Sequence, residues 1–184
     1  EEDIMKERPK DFGKISVQGL INKFSDCSCL ESSPRFCSGC KKDMEIKNQA
    51  YSFDDISPNF MIHLKRFELN SDNALKKIHT QVNVDEVLHI QEKDFDRKQM
   101  VVRERGDAVK YFLSAGVCHE GEEISSGHYT TFIVEYVTSE DIREGNAIYH
   151  YLDDDKHCMV PKEDFDAYVS RKAYAVLYKQ VATN

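Results

Sequence analysis

Between Tyr111 and Tyr178 the chain repeats one pattern, a short apolar run closed by a loop of glycine or polar residues. The runs are Tyr111 to Val117, Tyr129 to Val137, Ala147 to Leu152 and Ala173 to Tyr178, with Gly121, Gly127 and Gly145 in the loops between them. Runs of this length, rich in Tyr, Phe, Val and Ile, predict strands, and connections this short predict antiparallel neighbours. Before the last run, Pro161-Lys162-Glu163-Asp164-Phe165 predicts the first turn of a short helix, with Pro161 at N1 and acids at the positive end of the dipole.

Upstream, Val17, Leu20, Ile21 and Phe24 fall at i, i+3, i+4 and i+7, which predicts a helix with one apolar stripe. Ser16 stands at its N-cap, and Ile15 with Leu20 forms a hydrophobic staple across it. Phe60 to Phe67 reads as a strand ended by a polar turn at Asn70–Asn73. Its apolar residues do not alternate, which predicts a central strand covered on both faces. Asp85 to Arg105 is highly charged and predicts a surface loop or insertion. The sum is an α+β layout, one helix followed by a mostly antiparallel sheet.

The 184 residues suit one domain or a piece of one. Lys and Arg number 25 and Asp and Glu 33, so the formal charge is 25 − 33 = −8. An acidic chain is not expected to hold nucleic acid by neutralising phosphates. No stretch reaches the roughly 18 apolar residues of a membrane helix, and Glu1-Glu2-Asp3 is acidic where a signal peptide would be basic. Six cysteines are too few for a disulfide scaffold, and the clustering of Cys27, Cys29, Cys37 and Cys40 points to metal or structural thiols in a reducing compartment, cytoplasm or nucleus. Cys37-x-x-Cys40 is half of a tetrahedral zinc site, for which Cys27 and Cys29 are the nearby partners.

One histidine has a setting suited to catalysis. Ser125-Ser126-Gly127-His128-Tyr129 puts His128 between a loop glycine and a strand start, and the returning strand ends in Asp153-Asp154-Asp155. In an antiparallel pair the start of one strand lies beside the end of the next, so His128 and this acidic run can meet. An aspartate accepting Nδ1–H would fix the tautomer and leave Nε2 as a base. Alternation prefers Asp153 over Asp154 if the strand persists. No nucleophile accompanies them: Cys118 reads as an inert strand cysteine, and Cys158 points away from its neighbour His157.

Several segments, taken in order, resemble the ubiquitin-specific protease family of cysteine deubiquitinases. Leu20 to Phe24, Leu30 and the Cys37–Cys40 knuckle resemble its helix leading into zinc-knuckle fingers. Pro58-Asn59-Phe60-Met61-Ile62-His63-Leu64-Lys65-Arg66-Phe67 resembles the family's P-x-x-L-x-I-x-L-K-R-F. Tyr111-Phe112-Leu113-Ser114-Ala115 with His119-Glu120-Gly121 resembles Y-x-L-x-A…H-x-G, and Gly127-His128-Tyr129 the histidine box. Tyr149 to Asp154 resembles W-x-x-F-D-D, with Tyr149 and Leu152 in the Trp and Phe positions, and Ala173 to Tyr178 the closing A-Y-x-L-x-Y.

The resemblance implies a papain-like fold and hydrolysis of isopeptide bonds at the C-terminal glycine of ubiquitin through a thioester. His128 would be the base, Asp153 or Asp154 its orienter, and Tyr129 with Gly127 would border the channel for the ubiquitin tail. Nothing matches the family's cysteine box or its first finger CxxC. The expectation is therefore the C-terminal part of the catalytic domain, finger segment about 25–55 and palm 56–184, with the nucleophile-bearing thumb supplied by a missing N-terminal half. A non-catalytic ubiquitin-binding module on the same sheet is the alternative.

Overall fold

Along β10 (His128–Glu135; elements are numbered in chain order) Thr130, Phe132 and Val134 are buried while Tyr129, Ile133 and Glu135 are exposed. This period of two divides the sheet into a packed face and an open one. The computed structural model describes residues 15–25, 28–29, 34–45, 48–49, 51, 53, 57–69, 71–96, 101–123 and 126–180. They form α1 (Val17–Ser25), β1 (Ser28–Cys29), β2 (Pro34–Cys37), β3 (Lys42–Glu45), β4 (Asn48–Gln49), β5 (Asn59–His63), β6 (Phe67–Leu69) and β7 (Leu75–Lys77). Then follow β8 (Val87–Asp96), β9 (Val101–Glu120), β10, α2 (Ser139–Glu144), β11 (Ile148–Asp153), β12 (Lys156–Val160), α3 (Lys162–Lys172) and β13 (Ala173–Gln180). A seven-stranded antiparallel sheet runs β12-β11-β10-β9-β13-β5, with β8 paired to β9.

The packed face is aromatic. Phe165 of α3 meets Phe132 edge-on at 5.2 Å and Tyr149 at 4.5 Å, and Tyr168 meets Tyr151 edge-on at 5.4 Å. Phe165, Tyr168 and Val169 stand at i, i+3 and i+4, so α3 lays one stripe on the sheet. Gly116 is required here, since a Cβ would sit 2.3 Å from the Phe132 ring and 2.7 Å from the Ala175 carbonyl oxygen. Among the described residues no helix is long and apolar enough to cross a membrane.

The structure departs from four expectations. The Phe60 strand is an edge strand, not a central one, and it stops at His63. Its poor alternation arises because Leu64 and Arg66 are buried after the chain has left the sheet. Asp85 to Arg105 is no loop. It falls largely in the long hairpin of β8 and β9, whose solvent-facing charges pair across the strands, as Arg105 does with Glu92 at 2.7 Å. Leu88 and Ile90 at the start of β8 are buried in the core, while residues 103–105 on the returning strand are exposed. Pro161 is the N-cap of α3 rather than N1. β12 and α2 are additional elements, the latter closed by a capping box between Thr138 and Asp141 and by Gly145 at φ 75°.

The stripe of α1 is only partly buried. Ser16 does cap it, accepting from the Gly19 N–H at 3.1 Å. Yet of its stripe only Val17 is buried; Leu20 and Phe24 are exposed, as is Ile15, so the staple shields nothing. Ile21 packs against the core and Phe24 stacks on Tyr51 at 4.3 Å, and polar contacts add to these. The Gln18 N–H donates to Asp85 at 2.8 Å, and the Gln18 side chain bonds the His89 N–H and C=O.

Candidate active site

His128 opens β10 and Asp153 closes β11. Thr131 is paired with Leu152, so one step along the ladder Asp153 faces Thr130, and His128 lies two residues further on the same face. His128 Nε2–H donates to Asp153 Oδ1. The two nitrogens thus exchange the parts expected of them. Because the register leaves a two-residue gap, the distal ring nitrogen is the one that reaches the carboxylate, and Nδ1 is left as the free base.

Asp154 follows in a turn at φ 48°, and the ligating atoms of His128, Asp153 and Asp154 all lie within 4.8 Å of one another. The strand has ended at Asp153, so alternation no longer separates the two aspartates. The hydrogen bond to Asp153 holds the His128 imidazole above its ordinary pKa, with the charges of Asp153, Asp154 and Glu120 adding to it. The ring itself is about half exposed, at 47%.

The backbone before His128 is tightly fixed. Gly127 has φ 149°, and a Cβ there would sit 2.3 Å from the Glu120 carbonyl oxygen and 2.5 Å from His119 Nε2. Only glycine lets the loop pass that close. Tyr129 is exposed and packs against His119 at 4.8 Å, with Tyr174 at 6.1 Å.

Supporting residues escaped sequence reasoning. Glu120 is paired with His128 in register and accepts from Tyr168 OH at 2.7 Å. Tyr168 has then used its hydroxyl proton, so the Thr130 hydroxyl donates to it at 2.7 Å. Buried Lys77 donates to His119 Nδ1 at 3.4 Å and to the carbonyls of His119 and Gly121, tying the β6–β7 hairpin to the loop ahead of His128. Burial depresses the pKa of Lys77, and burial with the Lys77 charge depresses that of His119, so His119 is a neutral wedge rather than a second base. The helical spacing of Phe165, Tyr168 and Val169 is the signal that could have found Tyr168; the Lys77 contact depends on tertiary closure across 42 residues and leaves no local signal.

The cysteines divide. Cys118 is buried and desolvation pushes its thiol up to about 12, so it forms no thiolate near neutral pH. Cys158 is exposed on β12, and among the described residues no cysteine joins the His128 group. Cys37 ends β2, and Cys40 lies in the turn before β3. Hydrogen bonds from the Cys40 backbone and side chain lower the Cys37 thiol pKa. Two thiols converging on one turn fit half of a tetrahedral zinc site. Cys27 and the side chain of Cys29 lie outside the described residues, as does Leu30.

Residues 20–178 match the family model described as Ubiquitin carboxyl-terminal hydrolase. The chain belongs to that family. Among its relatives, Ubiquitin carboxyl-terminal hydrolase 44-B of Xenopus laevis is 27% identical over 164 residues, covering 89% of this chain and 21% of the frog protein. Ubiquitin hydrolase B of Dictyostelium discoideum is 27% identical over 165 residues, covering 88% of this chain and 32% of that protein. The chain thus spans only about a fifth to a third of these relatives. The Ubp8/Sgf11/Sus1/Sgf73 module of SAGA bound to ubiquitin aldehyde superposes with TM-score 0.66 at 17% identity, covering 95% of this chain and 35% of that one. The fold is that of the papain-like ubiquitin-specific protease domain, and the chain is a region of such a domain from the deubiquitinase family.

Proposed function

We propose that residues 1–184 are the palm-and-fingers part of a cysteine-type deubiquitinase, with finger segment about 25–55 and palm 56–184, and that His128 and Asp153 are two members of its catalytic triad. The observation that carries the reading is the His128 Nε2 hydrogen bond to Asp153, which leaves Nδ1 free on a half-exposed ring. Nδ1 takes the proton of a cysteine thiol supplied by a segment outside these residues. The thiolate attacks the carbonyl of the C-terminal glycine of ubiquitin. The imidazolium then protonates the departing lysine amine, and the same nitrogen activates the water that hydrolyses the thioester. Asp153 steadies the imidazolium throughout, with Asp154 in reach as a substitute.

Gly127 and Tyr129 border the channel for the ubiquitin tail in this reading. On the β5 edge of the open sheet face, exposed Met61 belongs to the surface that the missing N-terminal half would cover. The inert Cys118 and the small share of the relatives' length that the chain spans support a nucleophile outside it. Cys37 and Cys40 would hold a structural zinc ion with two further sulfurs, Cys27 and Cys29 being the nearby candidates. Thiols of this kind suit the cytoplasm or the nucleus.

The test is release of a fluorophore from the C-terminus of ubiquitin. The 184-residue chain alone is expected to give no turnover, and a longer protein carrying the cysteine box is expected to be active. Turnover by the short chain that disappears in Cys118→Ser or Cys158→Ser would contradict the reading. A longer protein that binds ubiquitin without cleaving it would favour a non-catalytic module.

A further inference from the structure

The open sheet face carries a second histidine group that the proposed chemistry does not use. His150 on β11 and His157 on β12 approach with His150 Nδ1 and His157 Nε2 at 2.9 Å. On the other side of the same ring, His150 Nε2 lies 3.1 Å from Glu135 Oε2 on β10. Alternation along β11 puts His150 on the face opposite Tyr149, Tyr151 and Asp153, so this group is separate from the His128 site.

The tautomers follow from the contacts. A carboxylate only accepts, so His150 Nε2 carries the proton and Nδ1 presents its lone pair toward His157. A histidine that donates one ring N–H to a carboxylate and offers the other nitrogen is the arrangement that orients metal-ligating imidazoles. With metal–nitrogen bonds of about 2.0–2.1 Å, two imidazoles on one ion place their nitrogens roughly 2.8–3.4 Å apart. The observed 2.9 Å contact is a hydrogen bond with the ring centres 5.1 Å apart and the two nitrogens nearly in line, so the exposed His157 ring must turn for both lone pairs to meet one ion. Met159 stands directly opposite His150 in the ladder, and its side chain is exposed, so the pair opens to water and to a soft thioether.

We propose that His150 and His157 form a binding site for a divalent transition-metal ion of the zinc, nickel and copper class, with Glu135 fixing His150 in the ligating tautomer. On binding, the proton on His157 Nε2 moves to its Nδ1, so both facing nitrogens offer lone pairs and no net proton need be lost. Water or a ligand from solution completes the coordination, as imidazole suits these ions better than magnesium or calcium.

The test is a titration of the 184-residue chain, carrying Cys37→Ser and Cys40→Ser to silence the knuckle, with zinc chloride. It is followed by calorimetry and by the ring-nitrogen resonances of labelled histidine. Zinc should shift His150 Nδ1 and His157 Nε2 while His150 Nε2 stays protonated. His157→Ala should weaken this binding at least tenfold, and Glu135→Gln by about tenfold, the lower end expected for an outer-shell partner. Zinc that leaves the rings of His150 and His157 unmoved, or that binds His157→Ala as tightly as the parent, would overturn the proposal. The resonance readout on the parent needs no histidine variant, so a poorly folding variant does not blunt the test.

Discussion

Replacing His128 by alanine in the complete enzyme is expected to lower kcat/KM by about three to four orders of magnitude, toward the upper end of what a positioned base contributes. The loss follows from geometry rather than folding. His128 is half exposed at the start of β10, and among the described residues its ring bonds Asp153. Circular dichroism and thermal midpoint should therefore stay near those of the parent while turnover collapses. Asp153→Ala should cost less, because Asp154 lies close enough to take over the imidazole, and the double variant should approach His128→Ala. Steady-state kinetics on ubiquitin conjugates measure all three. Equal losses for Asp153→Ala and His128→Ala would show that Asp154 gives no help.

The largest effect on stability is expected at Arg66. It is 4% exposed. Its guanidinium donates to three carbonyls: Ala173 at 2.6 Å, Thr80 at 2.7 Å and Ser170 at 3.0 Å. These join the start of β13, the segment before α1's partner residues and the end of α3. Arg66→Met fills much of the volume but removes the guanidinium donor from all three carbonyls, of which Ser170 keeps the Val82 N–H, and this should cost about 3–5 kcal/mol, the range for breaking a buried charged network. For a chain of this size that is roughly 10 °C in Tm or more. Arg66→Lys should recover only part, since an ammonium cannot present the forked donors in three directions. Urea unfolding within 0.5 kcal/mol of the parent would remove this account of the joint. Because α3 also carries Tyr168, which bonds Glu120 and Thr130 beside His128, loosening at Arg66 should reach the site as well.

What could be read from the sequence was whatever one-sided burial writes into it. β10 and β11 stood out because Phe132, Val134, Tyr149 and Tyr151 alternate with solvent-facing residues against a single aromatic layer. The same logic placed His128 and the acidic run at adjoining strand ends. Where burial is slight, the pattern fades. β12 presents Lys156, His157, Cys158 and Met159 to solvent, and on the β8–β9 hairpin exposed Arg105 pairs across the strands with Glu92. The choice of ring nitrogen was beyond reach for another reason. It depends on a register fixed at Thr131 and Leu152, and a change of one residue in that pairing would alter which atom meets Asp153.

The most direct test is a pH titration of His128 by ring-nitrogen NMR in the 184-residue chain. The account predicts a proton on Nε2 and a midpoint above the ordinary imidazole value, because the Asp153 hydrogen bond favours the charged ring. Asp153→Asn should move the midpoint down, and Asp153→Asn with Asp154→Asn further. A His128 protonated on Nδ1, or a midpoint at or below the ordinary value that does not respond to Asp153→Asn, would contradict the pairing on which the catalytic reading stands.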